Sequence, residues 1–105
     1  MDIGQQSKVF YDAPIMVGLR YEEIVKEPSP EPQEAEARFQ VNGKSEMAFV
    51  PLYAVNEEHC RAYGAIIGGK GNEVIVEFPP TTLGQSRFVA LKDDLDHIAI
   101  YKDGG

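Results

Sequence analysis

"GAIIGGKGNEV", residues 64–74, is the stretch whose reading decides the fold. Gly64, four residues and then Gly69-Lys70 copy the opening of a phosphate-cradling loop. That loop also needs a Ser or Thr after the lysine, to ligate Mg²⁺, and a helix starting there whose N-terminal amides hold the phosphate. Here the lysine is followed by Gly71, and the chain runs on as Asn72-Glu73-Val74-Ile75-Val76-Glu77-Phe78 before Pro79-Pro80. Apolar β-formers alternating with glutamate make a strand, and the double proline ends it. Ala65-Ile66-Ile67 suits the first arm of a hairpin. The segment is expected to be a β-hairpin, with Gly68, Gly69, Gly71 and Asn72 supplying the backbone freedom of a tight turn.

Outward from this hairpin the pattern stays β. "ARFQVNGKSEMAFVPLYAV", residues 37–55, places Asn42-Gly43 between two apolar runs, a strong hairpin signal. A two-residue loop would set Val41 against Lys44 and Phe39 against Glu46. A three-residue loop would set Phe39 against Met47 and Ala37 against Phe49, so the odd loop or a bulge is expected. Ile15, Val17, Leu19 and Tyr21 alternate, which predicts a strand to about Tyr21. Residues 26–37, "KEPSPEPQEAEA", are expected to form an exposed acidic Pro-rich loop, because Pro28, Pro30 and Pro32 forbid a ladder strand or a helix interior. A short helix starting at Ser29-Pro30 is the alternative there. One helical turn is expected over residues 55–63, with Asn56 as its cap and Glu57-Glu58 in its first turn. Phe88 to Leu91 reads as a strand, Asp93 to Asp96 as a 3₁₀-like turn, and Ile98 to Tyr101 as the last strand.

Five to seven short strands separated by turn signals predict a mainly-β fold, a small antiparallel barrel or sandwich with at most one or two short helical turns; the alternative is α+β. The closing pattern over residues 62–101 (paired strands around a glycine turn, a loop, a strand, a 3₁₀-like turn and a short strand) resembles an SH3-like barrel. Phe49, Tyr53, Tyr63, Phe78, Phe88 and Tyr101 are the expected aromatic core.

The 105 residues suit one domain that can bury a core without staples. Seventeen acidic against ten basic residues give a net charge of −7, which argues against sequence-blind binding to DNA or RNA. Six of the acids fall between Glu22 and Glu36, as a solvated face, a surface for a basic partner, or a decoy of nucleic acid. No run is apolar enough for a membrane span and no leader is apparent, so no membrane contact is expected. Cys60 is the single cysteine, which excludes an internal disulfide and suits a reducing cytoplasm.

Chemistry-bearing residues are sparse. His59-Cys60 and His97 are the only imidazoles and thiol, and a Cys-His pair oriented by Asp94 or Asp96 would be a hydrolase or transferase arrangement. No glycine-flanked nucleophile accompanies it, and structural use of Cys60 is the expected reading. His59 and Cys60 are adjacent, whereas paired zinc ligands are usually spaced. Asp93, Asp94 and Asp96 lack the spacing of a calcium loop. No catalytic residue, cofactor or metal is therefore expected. Tyr53, Arg61, Tyr63, Arg87 and His97 are the candidate binding residues, since Tyr and Arg favour interface centres.

The tail "LKDDLDHIAIYKDGG" resembles the end of ubiquitin-like sulfur carriers of the molybdopterin-synthase small-subunit type. That resemblance implies an activatable Gly104-Gly105 carboxylate. The chain departs from the family at the turn glycine, where Asp94 or Leu95 stands, and in lacking a helical segment between the hairpins. The functional expectation is a non-catalytic module for protein–protein contacts, self-associating, with a dimer as the expected assembly. A small-molecule binder or minor enzyme with a pocket at a subunit interface is the alternative.

Overall fold

The structure is a computed structural model and describes residues 15–100, with side-chain surroundings for residues 16–96. The described residues form one eight-stranded sheet, antiparallel throughout and curled into a nearly closed barrel. In chain order the strands are β1 (Ile15–Lys26), β2 (Glu34–Val41), β3 (Lys44–Pro51), β4 (Val55–Asn56), β5 (Arg61–Lys70), β6 (Glu73–Glu77), β7 (Arg87–Leu91) and β8 (Leu95–Ile100). Two 3₁₀ turns, Leu52–Ala54 and Lys92–Asp94, are the only helical elements among the described residues. The sheet runs β3-β2-β1-β5-β6-β7, with β4 beside β5 and β8 beside β1. This is the expected mainly-β barrel class.

The long first strand organises the barrel. Its first half lies between β5 and β8, and after a register shift between Tyr21 and Glu23 its second half pairs with β2. Such a bulge bends a strand and lets it serve two parts of a curved sheet. The gap between the outer strands β3 and β7 is bridged by side chains. The Phe49 N–H donates to Ser86 Oγ at 2.9 Å, and the Asn42 N–H donates to Asp94 Oδ2 at 3.1 Å.

The opening stretch is a hairpin. Lys70 pairs with Glu73 around the two-residue loop Gly71-Asn72, and Gly71 sits at φ +65°. Only the first loop position has positive φ, which is where a type II′ turn requires glycine. Gly64 and Gly69 serve close approach. A Cβ on Gly64 would lie 2.9 Å from the Glu77 carbonyl oxygen, and one on Gly69 would lie 2.5 Å from that of Glu73.

The Asn42-Gly43 hairpin departs from the expected register. Asn42 and Gly43 both have positive φ, 52° and 71°, and Val41 pairs with Lys44 across a two-residue loop. Phe39 therefore faces Glu46, and Ala37 faces Ala48. The physical reason is which face of β3 reaches the core. Ala48 and Val50 are buried, whereas Met47 is 56% exposed. Glu46 sits half-buried near the turn, so the apolar-charged pairing leaves its carboxylate a route to water.

Two further expectations are corrected. The first strand continues past Tyr21 to Lys26. The Pro-rich connection is confined to residues 27–33, because Ala35, Ala37, Phe39 and Val41 alternate inward from a strand that already starts at Glu34. The core is built around three rings. Phe39, Phe78 and Phe88 have mutual centroid distances of 5.4–5.6 Å. Ala37, Ala48, Ala62 and Ala90 are essentially inaccessible beside them, small residues that leave room for the phenyl groups at native packing density. Tyr53, expected in the core, is 82% exposed, and Phe49 is half-buried on the outer face. Tyr101 lies outside the described residues.

Candidate functional site

Register places the candidate site on the outer face of β1, β5 and β8. Val17, Leu19 and Ala62 point into the barrel, so Gly18, Arg20, Arg61 and Tyr63 belong to the opposite face. Gly18 pairs with Tyr63 and Arg20 pairs with Arg61. A Cβ on Gly18 would lie 3.0 Å from Tyr63 Cε1, so the missing side chain is what lets the phenol ring settle across β1. Arg20, Glu58, His59, Cys60, Arg61, Tyr63 and Asp96 line a cleft of about 500 Å³.

The turn of residues 57–60 forms one wall. Asn56 Oδ1 accepts the His59 N–H at 3.1 Å, but the segment is a non-helical turn between two strands rather than the expected helical turn. The Cys60 N–H donates to the Glu57 carbonyl at 3.3 Å, and Cys60 adopts φ +55°. That left-handed residue swings the chain into β5 and leaves its carbonyl to accept the Tyr21 N–H at 3.1 Å, just where β1 parts from β5. Burial first, then the neighbouring Cys60 and Glu57, raise the Tyr21 hydroxyl above its ordinary value of 10.0. It stays neutral at physiological pH.

Arg61 is held in place. Its Nε binds Asp96, and its Nη1 donates to the His59 carbonyl at 2.8 Å. Arg20 stands directly across the strand pair and is exposed. Two guanidinium groups opposed across a sheet repel, and Asp96 offsets part of that charge. The arrangement is a preorganised cation beside one that has no ion-pair partner among the described residues, next to an aromatic surface. It can orient a carboxylate or another single anion.

No hydrogen bond joins the His59 ring to the Cys60 thiol among the described residues. His59 Nδ1 lies 3.1 Å from Asn56 Nδ2, and Cys60 Sγ faces the Glu57 carbonyl at 3.9 Å. Asp94 accepts from the Asn42 and Leu91 backbone N–H groups. No three His, Cys, Asp or Glu side chains among the described residues form a group able to hold a metal ion.

Of the five candidate binding residues, the fold brings Arg61 and Tyr63 into this cleft. Tyr53 lies on the first 3₁₀ turn, apart from it. Arg87 opens β7, 3.9 Å from Glu77. His97 pairs through its backbone with Val17 on β8, and its side chain lies outside what is described. Sequence reasoning missed Arg20 and Glu58. The alternation of β1 marks Arg20 as outward, but nothing local reveals its partner strand.

A second polar cluster ties down the Pro-rich connection. Glu34 is 8% exposed, and its carboxylate accepts from the Thr82 N–H at 2.8 Å and the Thr82 hydroxyl at 2.7 Å. Those two bonds hold its pKa below the ordinary 4.5. The Glu27 carboxyl, hydrogen-bonded to Glu34, is shifted above 4.5 by that bond, by burial and by the neighbouring charge. The signs are opposite. Glu34 contributes stability above its unfolded pKa and loses it as pH falls through the lowered folded value. Glu27 contributes stability below 4.5 and loses it as pH rises through its raised folded value. Glu27→Gln keeps a donor for Glu34 and removes the second charge. The variant is expected to melt higher than wild type at neutral pH, and to lack the wild-type decline just above pH 4.5. A Tm series against pH checks this, and an unchanged decline would contradict it.

Comparison of the chain with protein-family models, curated proteins and solved structures finds no significant match. Fold and cleft alone define the class: a small antiparallel β-barrel with a cleft on its outer face lined by two arginines, two carboxylates and one tyrosine.

Proposed function

We propose that this protein is a non-catalytic binding module that acts through protein–protein contacts and associates with itself as a dimer. The observation that carries the reading is Tyr63, packed against Gly18 beside the opposed Arg20 and Arg61. Tyr and Arg supply most of the energy at interface centres, because each offers a large rigid surface with a polar tip. The acidic remainder of the surface steers approach and selects a basic region on any other partner. A direct hold on nucleic acid is not part of this reading. No helix among the described residues is long and apolar enough to cross a membrane. The single Cys60 suits work in the reducing cytoplasm.

Tyr63→Ala is the direct test. The ring packs on the outside of the sheet, so the barrel is expected to survive its removal. Self-association is expected to weaken at least about tenfold, the scale of an aromatic hot spot. Size-exclusion chromatography with light scattering over a concentration series reads this. A dimer of unchanged strength would remove Tyr63 from the interface.

The second reading, a small-molecule binder, is favoured by the cleft volume of about 500 Å³, within the usual range of ligand pockets. A ligand retained through purification would support it. The sulfur-carrier resemblance finds no α-helix among the described residues to complete its fold, and Gly104-Gly105 lies outside them.

A further inference from the structure

The cleft carries two arginines and two carboxylates, and among the described residues only Arg61 and Asp96 are paired with each other. Arg61 is occupied by Asp96 and by the His59 carbonyl. Among the described residues no carboxylate lies within ion-pair distance of Arg20. Its planar fork of donors faces solvent and suits a carboxylate arriving from outside. Glu58 and Asp96 on the lining disfavour a group with two negative charges, so a single carboxylate is the best fit.

The chain itself displays a complementary segment. The connection of residues 27–33 carries exposed Glu31 between Pro30 and Pro32. Its three prolines fix φ and remove backbone donors, so it does not add to a sheet and has little freedom to lose on docking. Its root adjoins the cleft. Lys26, the last residue of β1, bridges at 2.9 Å to Glu57, which opens the turn carrying Glu58, His59 and Cys60. Because connection and cleft adjoin, two copies related by a two-fold axis can each reach the other's cleft. Such an exchange closes at two subunits.

We propose that the cleft of one copy receives Glu31 from a second copy, and the reverse. Arg20 donates to the carboxylate, and Tyr63 provides the floor for the flanking prolines. This inference rests on the self-association proposed above. Two docked segments of this size lie at the low end of specific interfaces, below about 1,200 Å² in total, so the dimer is weak and reversible. Added salt weakens it.

A charge exchange on the full chain tests the contact. Sedimentation equilibrium is run on wild type, on R20E, on E31K, and on an equal mixture of the two variants. Both residues are exposed, and thermal unfolding checks that each variant keeps its fold. Each single variant is expected to weaken the dimer at least about tenfold, as loss of a charge-assisted contact does. The mixture is expected to recover wild-type strength, because opposite signs then meet at both contacts. E31K also separates the contact from net charge. It brings the chain from −7 toward neutrality, so relief of general repulsion would strengthen the dimer rather than weaken it. A dimer indifferent to R20E or E31K overturns this contact and leaves self-association standing. Single variants that weaken without recovery in the mixture also overturn it. A wild-type chain that stays monomeric at every concentration overturns both.

Discussion

Phe78→Ala is expected to lower the free energy of unfolding by about 3–5 kcal/mol. Phe78 is fully buried, stacked on Phe39 at 5.5 Å and tilted against Phe88 at 5.6 Å. Its backbone is pinned as well. The Phe78 N–H donates to the Ser86 carbonyl at 2.9 Å, and Gln85 Nε2 donates to the Phe78 carbonyl at 3.0 Å. The surrounding chain therefore cannot collapse into the space left behind, which places the cost in the upper part of the range. Domains of this kind have about 5–15 kcal/mol in total, so the variant is left marginal or unfolded. Phe88→Ala, at a ring 8% exposed, is expected to cost less. Urea unfolding followed by far-UV circular dichroism measures both. A loss under about 1 kcal/mol at Phe78 would contradict a core centred on these rings.

Gly69→Ala is expected to cost about 2–4 kcal/mol, and Gly71→Ala about 1–2 kcal/mol, although the two glycines stand two residues apart. At Gly69 the new Cβ meets backbone, the Glu73 oxygen at 2.5 Å and Val74 Cα at 2.9 Å, which no side-chain rotation relieves. At Gly71 the Cβ enters open space, and only the φ of +65° opposes it. The hairpin fixes this order of effects. A phosphate-cradling loop in the same stretch would make the order unrelated to strand pairing. The same urea experiment distinguishes them, and a Gly71 variant weaker than the Gly69 variant would contradict the register of Lys70 with Glu73.

Turn chemistry was the legible part of the fold. Gly71 and the Asn42-Gly43 pair adopt positive φ that few other residues tolerate, so the residue types announce the turns. Register was less legible. Met47 and Phe49 are larger and more apolar than Ala48, yet the barrel buries Ala48, because the two-residue turn sets it opposite the inward-facing Ala37. The start of the second strand was hidden for a similar reason. Ala35 and Ala37 carry a weak apolar signal inside an acidic, proline-rich run.

The candidate site was half legible. Arg61 and Tyr63 stand out as a cation and an aromatic on one strand face. Arg20 joins them through pairing between strands far apart in sequence, which residue patterns alone do not encode. Glu34 carries no local sign of burial. Its partner Thr82 comes from a distant loop, and its own neighbours suggest an exposed segment.

Native mass spectrometry of the untagged wild-type chain tests the central claim most directly, because subunit count and bound mass are read together. The account predicts a concentration-dependent dimer with the mass of two bare chains, dissociating as ionic strength rises. A chain that is monomeric throughout and carries a reproducible extra mass would contradict it, and would make the cleft beside Tyr63 the pocket of a small-molecule binder.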